Sequence, residues 1–467
     1  MLALLLLTSV LPGALGPAPR TLHVGPGAEF SSVREAIASA APGDTIRLLS
    51  GVHSGPVLID LPVVLLGESG AVLDGGAQGS VVHVEADSVQ VRGLELRNSG
   101  RSLEGDDAAV KLIRCSGCEV IGNRIHDALH GVYLLESSRV RVRDNRIEGL
   151  STLPEARRGN GIHLFNSRAA VIEGNVIRRT RDGIYFSFSS GSLIRENDVA
   201  EVRYGLHYMY SDDNRFERNR FSHNAAGAAI MFSNRILFRE NTFARHVGYR
   251  AYGILLQTSY GVVAERNRIE QNLVGVFLDM AENNRFADNV IADNGIGIDL
   301  IASAENNTFV GNVIARNRTA VRKPNGDARN VWAEDGRGNY WGDRSIYDLD
   351  GDGVGDRPHL VGDPFAVLAA NRPVLEIFAG TPAALALSWA ERAFPVFDLP
   401  RVEDPAPLVE VPDPLRTGRE QAGPEDVGHE RQGHDDPARP AGSVIAIAVL
   451  ILVVGGGGRR IHQVRGP

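Results

Sequence analysis

Hydrophobic and polar residues alternate over short stretches between about residue 44 and residue 343, and Gly or Asn separates one stretch from the next. Many of these stretches open on a glycine and continue with apolar residues at the first and third following positions. Because successive side chains point to opposite faces of a strand, this pattern predicts short strands with one buried face. Their regular recurrence predicts that they stack as a solenoid.

Asparagine marks one point of each repeat, usually 22 residues after its predecessor, as from Asn123 to Asn145 and from Asn197 to Asn219. Stacked in register, each asparagine can hydrogen-bond to the next and satisfy buried amides. Longer steps near Ser151–Arg158 and His246–Arg250 indicate insertions in coil loops. Leucine-rich frames and heptads are absent from the sequence, so it predicts an all-β fold: a right-handed, single-stranded parallel β-helix with coils of about 22 residues.

Segments outside the repeat differ in composition, and the formal net charge of −8 gives no basic field for nucleic acid. Ser31 is a predicted N-cap for a helix that covers the open end of the solenoid. An apolar start and an apolar tail predict export to the periplasm, with the tail as a candidate membrane anchor. The predicted order is a signal peptide (1–18), the β-helix with its N-terminal capping helix (19–343), an acidic Asp/Gly loop region (344–370), a short helical segment (371–399), a Pro- and acid-rich linker (400–440) and a candidate transmembrane tail (441–460).

The second and fourth residues after each strand glycine are expected to point outward, and they are unusually aromatic and apolar for a solvated sheet. We interpret this outer face as a binding face, with four aromatic residues at the second position: Tyr133, His163, Tyr185 and Phe277.

His207, Met209 and Met231 share this outer face, and the two methionines are one repeat apart. Thioether sulfur beside imidazole suits a soft ion, above all Cu(I). The alternative is a protein-docking patch, since methionine side chains are flexible and polarisable.

Asp279 and Asp299 also lie on the outer face in adjacent coils, at a spacing of roughly 8 Å that an inverting glycosidase would use. A carbohydrate-active enzyme (a lyase, an epimerase or a hydrolase) is therefore the alternative function. Cys115 and Cys118 predict a local disulfide in an exported protein, with a thiol pair for a soft metal as the alternative.

The acidic loop after the repeats resembles the first half of a calcium-binding loop. Carboxylates occupy positions 1, 3, 5 and 9, with glycine at position 6 and histidine instead of glutamate at position 12. A structural calcium site and a metal-free acidic turn both remain open, and the four candidate ligands are Asp348, Asp350, Asp352 and Asp356.

Four segments resemble the NosD family of maturation proteins for nitrous oxide reductase: Asp182 to Ser189, Arg203 to Asn214, Gly338 to Asp343 with the acidic loop after it, and the tail from Phe394 to Leu408. The first two carry Asp-Gly-Ile-Tyr-Phe and Tyr-Gly-Leu-His-Tyr-Met-Tyr, whereas the repeats and the Asn-Tyr-Trp run are also typical of pectin-lyase-like proteins. The resemblance implies a periplasmic, non-enzymatic copper-binding protein that assists assembly of a copper–sulfide centre. It also implies an ABC transporter permease and ATPase, a copper chaperone lipoprotein and nitrous oxide reductase as partners.

Overall fold

The computed structural model describes residues 18–323, 329–342, 346–362, 365, 372–378, 381–393 and 401–412. Within these residues the chain winds through three parallel sheets of 13, 12 and 12 strands, which confirms the predicted all-β parallel β-helix. The signal-peptide prediction falls outside the described residues up to position 17, and the tail prediction falls outside them completely. Neither α-helix in the described ranges has the length and apolar character that a bilayer crossing requires.

Each coil passes through sheet 1, sheet 2 and sheet 3 in turn, and strands of adjacent coils pair in parallel. Sheet 1 contains Thr21–Val24, Thr45–Leu48, Val64–Gly67, Gln90–Arg92, Glu119–Ile121, Arg141–Arg143, Val171–Glu173, Leu193–Arg195, Arg215–Glu217, Leu237–Arg239, Val263–Glu265, Arg285–Ala287 and Thr308–Val310. Sheet 2 contains Gly51–Ser54, Ala71–Asp74, Glu95–Arg97, Arg124–Ala128, Arg146–Gly149, Val176–Arg178, Asp198–Ala200, Arg220–Ser222, Thr242–Ala244, Arg268–Glu270, Val290–Ala292 and Val313–Ala315. Sheet 3 contains Val57–Ile59, Val82–Val84, Ala108–Ile113, His130–Leu135, Ile162–Phe165, Asp182–Ser187, Tyr204–Met209, Ala226–Met231, Tyr252–Gln257, Val274–Asp279, Ile296–Ile301 and Thr319–Arg322.

The predicted asparagine ladder runs inside the solenoid. The Oδ1 atom of Asn145 accepts two hydrogen bonds from Asn123, one from its backbone N–H at 2.9 Å and one from its side-chain Nδ2 at 3.0 Å. The same pattern repeats from coil to coil. At the last rung, Asn339 donates its backbone N–H to the carboxylate of Asp404 at 2.7 Å. Buried amides are therefore satisfied along the stack, and a fully buried acid ends the ladder.

Both ends of the solenoid are covered. Helix α1 (Val33–Ser39) packs apolar side chains on the first coils and begins after Ser32, one residue later than predicted, because the Ser32 hydroxyl accepts the N–H of Glu35. At the other end, residues 401–412 pack against the last coils, although their composition had placed them in a linker; strand Val402–Asp404 pairs antiparallel with His359–Val361. Other helical segments in the described ranges include 3₁₀ turns at Glu155–Arg157 and Pro373–Phe378 and helix α2 at Pro382–Ala393.

Most long strands of sheet 3 have a glycine at or beside their first residue, where the packing leaves no room for a side chain. A Cβ atom on Gly183 would collide with the Val199 side chain and with the carbonyl oxygen of Gly205, so only glycine fits there. Because Gly183 and Ile184 both face the interior, the residue before them, Asp182, lies on the outer side of the sheet. The outer face of sheet 3 thus has three columns of side chains, at positions −1, +2 and +4 relative to the glycine.

Candidate functional site

Aromatic rings at position +2 form a ladder along sheet 3. Tyr133, His163, Tyr185 and His207 pair in register on consecutive coils, with ring centroids 4.4, 4.5 and 4.7 Å apart. Lys111 lies 5.5 Å from the centre of the Tyr133 ring at the start of the ladder. The rings cover one another, so only 4% of Tyr133 is exposed. The fourth predicted aromatic residue, Phe277, is three coils beyond His207 and packs on Tyr252 instead.

His207 is held by a buried ion pair that sequence reasoning missed. Its Nδ1 atom lies 2.8 Å from Oδ2 of Asp182, and Arg203 donates to both Asp182 oxygens, from Nε at 2.8 Å and from a terminal nitrogen at 2.7 Å. Burial raises the pKa of Asp182, but the hydrogen bonds from His207 and Arg203 outweigh that effect and hold the pKa below its usual value. An ionised Asp182 accepts the Nδ1–H of His207, so Nε2 is the nitrogen that carries the lone pair whenever the imidazole is neutral. We call Asp182, Arg203 and His207 the His207 cluster.

Met209 and Met231 are register neighbours at position +4, and both are half-buried. Met209 lies two residues after His207 on the same strand, so the structure brings the three predicted copper ligands onto one patch of the outer face. The spacing between adjacent strands is about 4.8 Å, which lets two flexible thioethers converge on one ion.

An exposed aromatic ridge, formed by Phe188, Tyr210 and Phe232, borders the methionines. Tyr210 lies 5.2 Å from each of the other two rings, and the ring planes are within 12° of parallel. All three residues have positive φ, near 50°, which is costly for a bulky side chain. Sequence reasoning missed the ridge because its residues directly follow position +4, in the turn that leaves the strand.

Asp299, one of the two acids considered for catalysis, is fully buried and paired with Arg322, which donates from Nε at 2.9 Å. Asp279, in the preceding coil, accepts a hydrogen bond from Gln257 at 3.1 Å. The coil of Arg322 has no opening glycine, so the outward columns read from the sequence stopped one coil short of this partner.

In the acidic loop, oxygen atoms of Asp348, Asp350 and Asp352 lie within 4.8 Å of one another, close enough for one calcium ion. Asp356 accepts the backbone N–H of Leu349 at 2.6 Å. The same loop hydrogen-bonds the segment that closes the solenoid, through Gly355 and the carbonyl oxygen of Pro407. Calcium binding here stays a prediction.

A disulfide joins Cys115 and Cys118, whose Cα atoms are 6.3 Å apart. Both residues are fully buried where the chain passes from sheet 3 to sheet 1. They lie four coils from His207, so they do not belong to the His207 cluster.

A family model described as "Periplasmic copper-binding protein (NosD)" matches residues 144–345. The "Probable ABC transporter binding protein NosD" of Pseudomonas aeruginosa is 42% identical over 381 residues, which cover 78% of this chain and 88% of that protein. A protein of the same name from Stutzerimonas stutzeri is 36% identical over 382 residues, covering 78% and 87%. Among solved structures, the family 28 exopolygalacturonase of Yersinia enterocolitica has 12% sequence identity and a TM-score of 0.45, covering 68% of this chain and 77% of that one. The identity to the two relatives shows that the chain belongs to the NosD family.

Proposed function

We propose that this protein is a periplasmic accessory factor that binds Cu(I) through His207, Met209 and Met231 and passes it on for assembly of the copper–sulfide centre of nitrous oxide reductase. The matching family is described as periplasmic and copper-binding, which supports copper as the cargo. Both relatives are named as probable ABC transporter binding proteins, which supports association with an ABC transporter.

The hydrogen bond from His207 to Asp182 is the observation that carries this proposal. A histidine that binds a metal usually donates its other ring N–H to a carboxylate, which orients the ring and makes its free nitrogen more basic. Two thioethers beside that nitrogen complete a neutral, soft ligand set that favours Cu(I) over harder divalent ions. Arg203 engages both oxygens of Asp182 and neutralises its charge, so the carboxylate orients the ligand without adding a hard oxygen donor.

Copper would be cargo, and the site suits transfer better than storage. The His207 side chain is 13% exposed and both methionines are half-buried, so a partner can reach the ion. The aromatic ridge beside them offers an apolar surface for a protein partner. Within this proposal the partners are a copper chaperone lipoprotein, the transporter permease and ATPase, and nitrous oxide reductase.

The test is Cu(I) affinity of the purified full chain, measured by competition with a chromophoric Cu(I) chelator under anaerobic conditions. Replacing both Met209 and Met231 with leucine keeps their volume and should weaken binding by roughly tenfold or more, because both soft ligands are lost. Met280→Leu is the matched control, since Met280 is exposed in a later coil of the same sheet. Unchanged affinity in the double variant would remove these ligands from the proposal.

The carbohydrate-active alternative is weakened by the surroundings of Asp299. The Asp299 carboxylate is buried and held by Arg322, so it does not face a substrate, whereas an inverting glycosidase needs one acid and one base facing the sugar. We therefore expect Asp279→Asn and Asp299→Asn to leave Cu(I) affinity unchanged, and we expect no uronate lyase or hydrolase activity in the parent protein.

A further inference from the structure

The outer corner of sheet 3 repeats in the coil before Asp182, with two substitutions. Tyr185 takes the position of His207, and the histidine of this corner, His163, lies in the same coil as Asn160. Asn160 takes the position of Asp182, and Arg181 takes the position of Arg203, as their equivalent backbone hydrogen bonds show. We propose that Asn160, Arg181 and His163, here called the His163 cluster, bind a small carboxylate or oxyanion. The ligand would supply the negative group that Asp182 supplies one coil later.

Three polar atoms in the His163 cluster lack partners. Oδ1 of Asn160, Nε2 of His163 and Nε of Arg181 are all buried, and none has a hydrogen-bond partner among the described residues. Asn160 itself is only 7% exposed. Buried polar groups are nearly always paired, so the unpaired Nε–H of Arg181 indicates a missing hydrogen-bond acceptor in this corner.

The corresponding arginine and acid one coil later satisfy each other within the chain. Arg203 donates its Nε–H to Asp182 at 2.8 Å, and Asp182 also bonds His207. An amide in place of that carboxylate carries no charge, so Arg181 is left without a counterion. The repeat itself therefore indicates which chemical group is missing.

Rotation of one amide would turn the His163 cluster into an anion receptor. The Asn160 backbone N–H donates to Nδ1 of His130 at 3.0 Å, and its side-chain Nδ2 lies 3.3 Å from Nδ1 of His163. A half-turn of the amide would let its oxygen accept an Nδ1–H of His163 and would free its NH₂ group to donate to an anion. His163 would then orient the amide, and its Nε2 atom would not contact the anion. Two adjacent donors, one of them charged, match a carboxylate or one edge of a tetrahedral oxyanion.

Local charge favours an anion over a metal cation. Burial, reinforced by the charges of Lys111 and Arg181, lowers the pKa of His130 to about 4. Two acids lie nearby, but Asp182 is engaged by Arg203 and His207, and Asp106 hydrogen-bonds Tyr133. The positive charge of Arg181 thus remains available to a ligand.

Packing limits the size of that ligand. The rings of Tyr133 and Tyr185 lie 4.4 and 4.5 Å from the His163 ring, so they close the cluster on two sides. Arg181 is half-buried, which gives a small ion a route from solvent. An anion of the size of acetate, sulfate or phosphate fits this description.

The experiment titrates the metal-free full chain with acetate, sulfate and phosphate separately, by calorimetry and thermal unfolding in an otherwise anion-poor buffer. At least one of the three should bind saturably and raise the melting temperature, because a ligand of the folded state stabilises it. Arg181→Gln should weaken that binding by roughly tenfold or more, through loss of a charge-assisted hydrogen bond. Arg168→Gln, which alters an exposed arginine of the same coil as His163, should leave it unchanged.

Asn160→Asp is the decisive variant, because it supplies the carboxylate from the chain itself. It should raise the melting temperature without added anion and abolish anion binding. Binding that survives in Asn160→Asp or Arg181→Gln, or no saturable binding of any of the three anions, would overturn the proposal. The experiment contains no copper, so its failure leaves the proposed function untouched.

Discussion

The His207 cluster and the His163 cluster occupy neighbouring coils with the same backbone, yet they differ in how their polar atoms are satisfied. In the first, a carboxylate joins an arginine to a histidine; in the second, an amide leaves the arginine and the histidine without that link. Two positions account for the difference: Asn160 lies where the other corner has Asp182, and Tyr185 lies where it has His207. A β-helix can therefore keep the same backbone in successive coils while the outward side chains of each coil bind different groups.

Asp182→Asn should remove from the His207 cluster the charge that the His163 cluster lacks, and it should have the largest effect on stability. Removing the charge of Asp182 leaves Arg203 in a half-buried corner without its counterion, which should cost about 3 kcal/mol in the free energy of unfolding measured in urea. Asp198→Asn is the matched control, because its pair with Arg178 is more exposed and should contribute less than about 1 kcal/mol. Equal losses in the two variants would mean that the pair of Asp182 and Arg203 stabilises the fold no more than an exposed ion pair does.

The two corners should contribute differently to the pH dependence of stability. Because the pKa of His130 is lowered from 6.5 to about 4, the unfolded chain binds a proton in this range that the folded chain does not, so stability falls as the pH falls from 6.5 to 4. The loss should be on the order of 3 kcal/mol, with further contributions from His163 and His246, whose pKa values are also lowered by burial. The stabilisation from Asp182 is present above the unfolded aspartate pKa of 3.8 and is lost only as the pH falls further, through its folded value.

His130→Asn should therefore flatten the stability profile between pH 6.5 and pH 4, measured as urea midpoints, while Asp182→Asn should lower the whole profile and keep its slope there. An unchanged slope in His130→Asn would contradict the assignment of acid sensitivity to the corner beside the His163 cluster.

The sequence was sufficient to predict the solenoid and the outward direction of the residues at positions +2 and +4. A 22-residue asparagine period has few structural explanations, and alternation after each glycine correctly oriented His163, Tyr185, His207 and both methionines. The alternation could not predict that the residue before each glycine (Asn160, Asp182 or Tyr204) faces outward. The glycine and the residue after it both face inward, which shifts the alternation by one position. The available signal was the charged residue directly before the glycine in the Asp182 coil.

The end of the solenoid was mispredicted for a different reason. Composition describes residues 401–412 as a proline-rich linker, but one of them, Asp404, accepts the last amides of the asparagine ladder. A single buried hydrogen-bond acceptor can anchor a segment whose average composition predicts disorder.

Copper affinity should distinguish the two histidines themselves. His207→Gln should weaken Cu(I) binding by roughly 100-fold, because an imidazole ligand that a carboxylate had oriented is lost. His163→Gln should change it by less than about twofold, since its Nε2 atom is buried beside tyrosine rings and the sulfur ligands lie two and three coils further on. Both variants remove one imidazole from the same ladder, so a general loss of packing would affect them equally. If His163→Gln loses copper as severely as His207→Gln, the carboxylate of Asp182 does not define the copper ligand, and the two clusters would have to be treated as one site.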